Sequence, residues 1–274
     1  MHAPQSKGIF TYDRFQIPYR VFGTGENIVC VNGAQQSMAM WFSFLHHFKE
    51  KYRIILFDFP YQGKSKIVFG SPHVTLKEQV GILQAVIDKL DIKQATVCSS
   101  SWGGVIALLF AAHFPQYAKR LILASVGLRP NNLMREVILK GTNMGREDRK
   151  KLAEVIINNF GKNLPQEVKN QIIKQFQAMK EEQIRAFSEH GMSVILAKSL
   201  DKIIPLSKIT TNATIVYGEN DTIIDFYDVE AMSFLMPNCS IKIVPGTGHF
   251  LHLENDKVFS VYEQIFNLEP SLIR

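Results

Sequence analysis

The chain is 274 residues long, 46% hydrophobic and 20% charged, and carries a net charge of +6. That length fits one large domain, or one domain carrying an insertion, and the composition is that of a soluble globular protein. No apolar run reaches the ~18 residues of a membrane helix, and the positive charge comes without a basic run interleaved with aromatics, so neither a membrane span nor DNA or RNA binding is expected.

Residues 1–7 lack the apolar core of a signal peptide. Cys30, Cys98 and Cys239 sit in apolar runs without metal-ligand spacing. They read as small buried residues of a reducing compartment, and a cytoplasmic location is the expectation.

In chain order, 9–12 and 15–22 read as a hairpin turning at Asp13-Arg14. The apolar run 27–31 is a buried strand that ends in Asn32-Gly33, and 52–58 is another. Thr75-Leu76-Lys77-Glu78 has capping-box spacing and opens a helix whose apolar positions are Val80, Leu83, Val86, Ile87 and Leu90. A strand at 95–98, the stretch Ser99-Ser100-Ser101-Trp102-Gly103-Gly104, a helix through 105–112 and a strand at 120–126 follow.

The rhythm then changes. Residues 131–205 contain no convincing strand and read as helices over 131–140, 147–160, 165–179 and 181–200, broken at Gly141, Gly145, Gly161 and Pro165. Strands resume at 213–217 and 241–244, and a closing helix starts near Asp256. Alternating strands and helices predict an α/β fold with a mostly parallel sheet, flanked by helices. Residues 1–130 and 206–274 form its core, and 131–205 form a helical cap, or lid, inserted between sheet strands. The cap holds thirteen basic and nine acidic side chains, most of the net charge. A solvated helical surface accounts for that excess, and an acidic partner is the second reading.

A strand that turns at once into a helix, with serine at the turn and small residues two positions to either side, has the pattern of a nucleophile elbow. The usual form is G-x-S-x-G; here Ser99 stands in the first small position and Ser101 at the apex. The short pattern alone is weak, and its context strengthens it. Activating a serine hydroxyl takes a base, and orienting that base takes a carboxylate; on such folds they follow in the order serine, acid, histidine. Asp221, after the strand at 213–217, is the acid, ahead of Glu219 and of Asp225, which reads as a helix N-cap. His249, between Gly248 and Phe250, is the base; His252, His190 and the other histidines read as surface or structural. The oxyanion donors are the backbone N–H groups of Trp102, next after the nucleophile, and Ala34, after Asn32-Gly33. Met38, Met40 and Trp41 read as core, with an acyl channel as the second reading. The constellation calls for no metal and no cofactor.

These stretches resemble the α/β-hydrolase fold over nearly the full length. More closely, Val31-Asn32-Gly33-Ala34, residues 56–65, the elbow with Ser99, Pro237-Asn238-Cys239-Ser240 and residues 246–250 resemble the 3-(3-hydroxyalkanoyloxy)alkanoate synthases, which make the lipid tail of rhamnolipid biosurfactants. That resemblance implies an enzyme joining two 3-hydroxyacyl chains through an acyl-enzyme on Ser101, with acyl carrier protein or coenzyme A as donor. Two other readings stay open: a carboxylesterase or thioesterase using the same residues with water, and a ligand-binding protein of the same fold. The complete set Ser101, Asp221, His249 argues against the last.

Overall fold

The structure, a computed structural model, describes residues 4–142 and 148–267. The chain opens with the hairpin β1 (Ser6–Tyr12) and β2 (Phe15–Phe22), then β3 (Glu26–Val31), the short helix α1 (Phe42–Phe48), β4 (Tyr52–Phe57), the two-residue β5 (Lys66–Ile67) and α2 (Leu76–Lys89). After β6 (Ala95–Ser100), α3 (Trp102–His113) and β7 (Ala118–Ala124) come four helices in succession: α4 (Asn132–Thr142), α5 (Arg149–Phe160), α6 (Gln166–Ala178) and α7 (Glu181–Ala197). The sheet resumes with β8 (Ala213–Gly218), then α8 (Phe226–Leu235), β9 (Cys239–Val244), α9 (Leu251–Glu254) and α10 (Lys257–Asn267).

The strands form one sheet in the order β1-β2-β4-β3-β6-β7-β8-β9, with β5 on β2. From β4 to β9 every pairing is parallel; β2 meets its neighbours antiparallel. The α/β fold with a helical insertion, α4–α7 between β7 and β8, is therefore as the sequence implies. The expected break at Gly145 and helix start at Glu147 lie outside the described residues. Gly141 does not end α4, which runs to Thr142.

Period-2 alternation sends successive strand residues to opposite faces. Val29, Val31, Leu121 and Leu123 pack with Leu83 of α2 and Ile106 of α3 on one face, and that core continues into the insertion through Val137, Ile156 and Ile184. Ile28, Cys30, Ile122 and Ala124 pack with Phe44 of α1 and Tyr262 of α10 on the other. Met38, Met40 and Trp41 belong to this second core, consistent with the first of their two readings. Cys30 and Cys98 are fully buried thiols facing each other in register across β3 and β6, and Cys239 is half-buried. Helix α2 starts as its capping box predicts: the Thr75 hydroxyl accepts the Glu78 N–H at 3.1 Å and the Glu78 carboxylate accepts the Thr75 N–H at 2.8 Å. Among the described residues no helix is long and apolar enough to cross a membrane.

Candidate active site

The turn between β6 and α3 carries Ser101 at φ 49°, ψ −118°, a region that non-glycine residues enter only under strain. The Ser101 N–H donates to Ala124 O and the Gly104 N–H to Ser101 O, both at 2.8 Å, so the turn is held from both sides. The small neighbours have specific causes. A Cβ on Gly103 would stand 2.4 Å from Val31 O, and one on Gly104 would press on the Val126 side chain at 3.1 Å. Ser99 is fully buried in β6, and its hydroxyl donates to Ile122 O at 3.2 Å. That position therefore admits serine because a backbone acceptor waits for its one polar atom.

Asp221 and His249 come to Ser101 from the loops after β8 and β9. Asp221 Oδ1 accepts the backbone N–H groups of Ile223 and Ile224 at 2.8 and 3.1 Å. This leaves Oδ2 for His249 Nδ1, 2.8 Å away, with the carboxylate side chain fully buried. His249 Nε2 lies 3.1 Å from Ser101 Oγ. With its proton on Nδ1 the imidazole donates to Asp221 and presents a bare Nε2 to the serine hydroxyl, the arrangement that general-base activation of a nucleophile needs. Of the rival acids, Glu219 accepts the Gly246 N–H at 2.8 Å, and Asp225 stands at the N-cap of α8 without a side-chain capping bond.

Two supports of the histidine loop had no signal in the sequence. The Ser125 hydroxyl donates to His249 O at 2.7 Å. The Glu254 carboxylate accepts the N–H groups on either side of His249, Gly248 at 2.6 Å and Phe250 at 2.9 Å. Gly218 is demanded by the same loop, since a Cβ there would meet Gly248 O at 2.3 Å.

Ala34 and Trp102 border the same pocket as Ser101. Trp102 opens α3, where helix geometry leaves its N–H without an intrahelical acceptor. The loop bearing Ala34 is anchored through Asn32. Its side-chain N–H₂ donates to Phe57 O at 2.9 Å and Gln62 Oε1 at 3.0 Å, and its Oδ1 accepts the Trp41 indole N–H at 2.9 Å. Gln62 also donates to Gly33 O at 2.8 Å, while Gln36 Oε1 accepts the Gly33 N–H at 2.7 Å. Asp58 completes the anchor by accepting the Met38 N–H at 2.6 Å, and its burial raises its pKa above the usual carboxylate value.

The pocket is a cavity of about 80 Å³. Val126 and Ile224 line it from the core, Met134 and Ile138 from α4, and Phe187 and Val194 from α7. Its walls are apolar, Arg129 at the border being held by Asp228 at 2.7 Å. Gly191 of α7 also lines it, packed so closely on Ile138 that an added Cβ would stand 2.8 Å from that side chain. His190, read from sequence as a surface or structural histidine, also lines this pocket.

Residues 26–256 match the family described as alpha/beta hydrolase fold. The chain is 25% identical over 240 residues to the (R)-3-hydroxydecanoyl-ACP:CoA transacylase of Pseudomonas putida, covering 86% of this chain and 80% of that protein. It is 28% identical over 126 residues to 3-oxoadipate enol-lactonase 2 of Acinetobacter baylyi, 45% of this chain and 46% of the other. Among solved structures, MGS-M2, an alpha/beta hydrolase enzyme from a Medee basin deep-sea metagenome library, superposes with a TM-score of 0.83 at 22% identity, over 96% of this chain and 98% of that one. With its sheet order, its helical insertion and a family match over most of its length, the chain belongs to the alpha/beta hydrolase fold family.

Proposed function

We propose that the protein is a serine acyltransferase that joins two 3-hydroxyacyl chains by an ester bond, with Ser101 as nucleophile, His249 as base and Asp221 holding the imidazole. The observation that carries this reading is the hydrogen-bonded series Asp221–His249–Ser101 beside an apolar pocket covered by the helical insertion. Residues 131–205 serve as the cap over a core of 1–130 and 206–274.

Ser101 Oγ attacks the thioester carbonyl of a 3-hydroxyacyl group while His249 Nε2 takes its proton. The N–H groups of Ala34 and Trp102 stabilise the oxyanion, each worth about 3 kcal/mol in such sites. The thiol leaves with the proton from His249. The 3-hydroxyl of a second chain then gives its proton to His249 and attacks the acyl-enzyme, releasing Ser101. Water competes for that intermediate, and an apolar pocket under a seated cap disfavours it. Similarity to a transacylase named for a 3-hydroxydecanoyl group supports a hydroxyacyl thioester as donor. Ser99 and Asn32, the marks shared with the synthases, support a second hydroxyacyl chain as acceptor. The basic excess on the cap suits an acidic acyl carrier protein or the phosphates of coenzyme A.

The test is mass spectrometry of the products formed from 3-hydroxyacyl carrier protein. A product of two chains joined by one ester bond is expected, still on the carrier protein or, once that thioester is hydrolysed, as the free acid. Free 3-hydroxy acid alone would make the protein a thioesterase, and a 3-hydroxyacyl coenzyme A formed only when coenzyme A is added would make it a transacylase. The support of the His249 loop gives a second expectation. Glu254→Gln replaces a carboxylate that accepts two N–H groups by an amide with one acceptor, and turnover is expected to fall about tenfold through misplacement of His249. Steady-state kinetics checks it, with unchanged turnover removing Glu254 from the support of that loop.

A further inference from the structure

Helix α7 grips the core at two points that both belong to the nucleophile's surroundings. Near its start, Gln183 O accepts the side-chain N–H of Gln35 at 2.9 Å, and Gln35 follows Ala34. The Gln183 side chain itself donates to Tyr61 O at 2.9 Å. Seven residues on, two turns and ~10 Å along the same helix face, His190 lies on the indole of Trp102. The ring centroids are 4.7 Å apart and the planes 9° from parallel.

Gln79 of α2 closes this second grip. Its Oε1 accepts the Trp102 indole N–H at 3.0 Å, and its Nε2 lies 3.0 Å from His190 Nε2. The sense of the chain assigns the tautomer. With its oxygen taken by the indole, Gln79 presents its N–H₂ to His190, so Nε2 is the bare ring nitrogen and Nδ1 carries the proton, which the Val74 carbonyl accepts. The neutral ring fits its surroundings, burial having pushed its pKa down to about 4.

An oxyanion hole accelerates acyl transfer only if its donors are fixed before charge develops, and a misplacement of ~1 Å can cost about a hundredfold. Both donors sit at the margin of the regular structure. Ala34 is in a loop whose next residue, Gln35, holds a positive φ of 55°, and Trp102 is the first residue of its helix. We infer that α7 holds the oxyanion hole together: Gln35, held by this one cap helix, and His190, carried on it, are positioning residues that orient the N–H groups of Ala34 and Trp102. The inference rests on the reading of those two groups as oxyanion donors. Its consequence is that Ser101, His249 and Asp221, all carried by the core, become an efficient site only when the cap is seated.

The test uses the full-length protein and p-nitrophenyl hexanoate, which needs the serine machinery but no hydroxyacyl acceptor. His190→Ala and Gln35→Met are compared with the parent, and His190→Gln serves as the conservative variant, able to accept from Gln79 and to donate to Val74. Two ligands accompany the ester. A hexyl trifluoromethyl ketone adds to the serine and places an oxyanion in the hole, and the matching methyl ketone fills the pocket without adding.

The first two variants are expected to lower kcat about tenfold to a hundredfold with KM within threefold. The trifluoromethyl ketone should weaken by the same factor as kcat and the methyl ketone should not change. His190→Gln should recover most of the loss. Acrylamide should quench Trp102 more readily in His190→Ala, since Trp41 is fully buried in the core. A rise in KM at unchanged kcat, or equal weakening of both ketones, would overturn the inference and leave α7 as a wall of the acyl pocket. If the parent does not turn over the ester, or Ser101→Ala still does, the catalytic reading itself falls and the inference with it, a result distinct from either pattern in the variants.

Discussion

Ser101→Gly is expected to abolish acyl-enzyme formation and to raise stability at the same time. Loss of the nucleophile from a site of this kind lowers kcat on the order of 10⁶-fold. Residues held in sparsely populated backbone regions cost of order 1–3 kcal/mol, and φ 49°, ψ −118° at Ser101 is such a conformation. Glycine enters it without a Cβ penalty and gives back roughly 0.5–1 kcal/mol through the greater freedom of the unfolded chain. The net expectation is a gain of about 1 kcal/mol, or ~2 °C in Tm for a chain of this size. Ser101→Ala is the control, since alanine keeps the strain and should lose the activity without the gain. Labelling by a fluorophosphonate and thermal melts of the three proteins measure both halves. A glycine variant that melts below the alanine variant would mean that the turn stores no strain and that the serine conformation has another cause.

The turn itself is legible in the sequence, because it is local. A buried strand, three serines, two glycines and an apolar helix within twenty residues describe the turn by themselves. Asp221 and His249 were legible for a related reason: each sits just after an apolar run that can only be a strand, and the chain order of the fold supplies the pairing. The helical insertion showed as a long stretch with one apolar period and no other. The supports of the site were not legible. Gln79 and His190 are 111 residues apart, and Gln35 and Gln183 are 148 apart. Polar groups that meet once, across distant segments of the chain, leave no period in the sequence. Ser125 and Glu254 are ordinary residues until the loop around His249 closes over them. Asn32 stood out as a mark of resemblance, but its reason lies in three partners converging on one amide: Phe57 O at the end of β4, Gln62 from the loop after it, and the Trp41 indole. The short elements α1 and β5 escaped because seven and two residues are too few for a period to show.

Acid sensitivity follows from two histidines that the fold keeps neutral. His252 is packed between Trp41 and Tyr262, with its Nε2 2.7 Å from the Tyr262 hydroxyl, and burial lowers its pKa to about 3. His190 of α7 is lowered to about 4 by burial, its ring stacked on Trp102. In the unfolded chain each returns to a value near 6.5. Both folded values are depressed, so between pH ~6.5 and ~4 the unfolded state binds protons that the native state refuses. The stability that neutral burial permits is intact above pH ~6.5 and is lost as the pH falls through that window. At full slope each histidine contributes about 1.4 kcal/mol per pH unit, and the pair about 2.7. From pH 7 to 4.5 the loss is about 5 kcal/mol, comparable to the whole stability of many domains. Buried Asp58 acts in the opposite sense, since its raised pKa lets the native state take up a proton early, and it offsets part of the loss at the acid end. Urea denaturation at pH 7, 6, 5.5 and 5 measures the slope. The paired replacement His252→Phe, Tyr262→Phe removes one titrating group without orphaning the tyrosine hydroxyl. Its stability should fall less steeply with acid by about 1.4 kcal/mol per pH unit near pH 5. Parallel curves for parent and variant would mean that His252 does not titrate differently in the folded and unfolded states, and that the acid lability, if seen, belongs to the carboxylates.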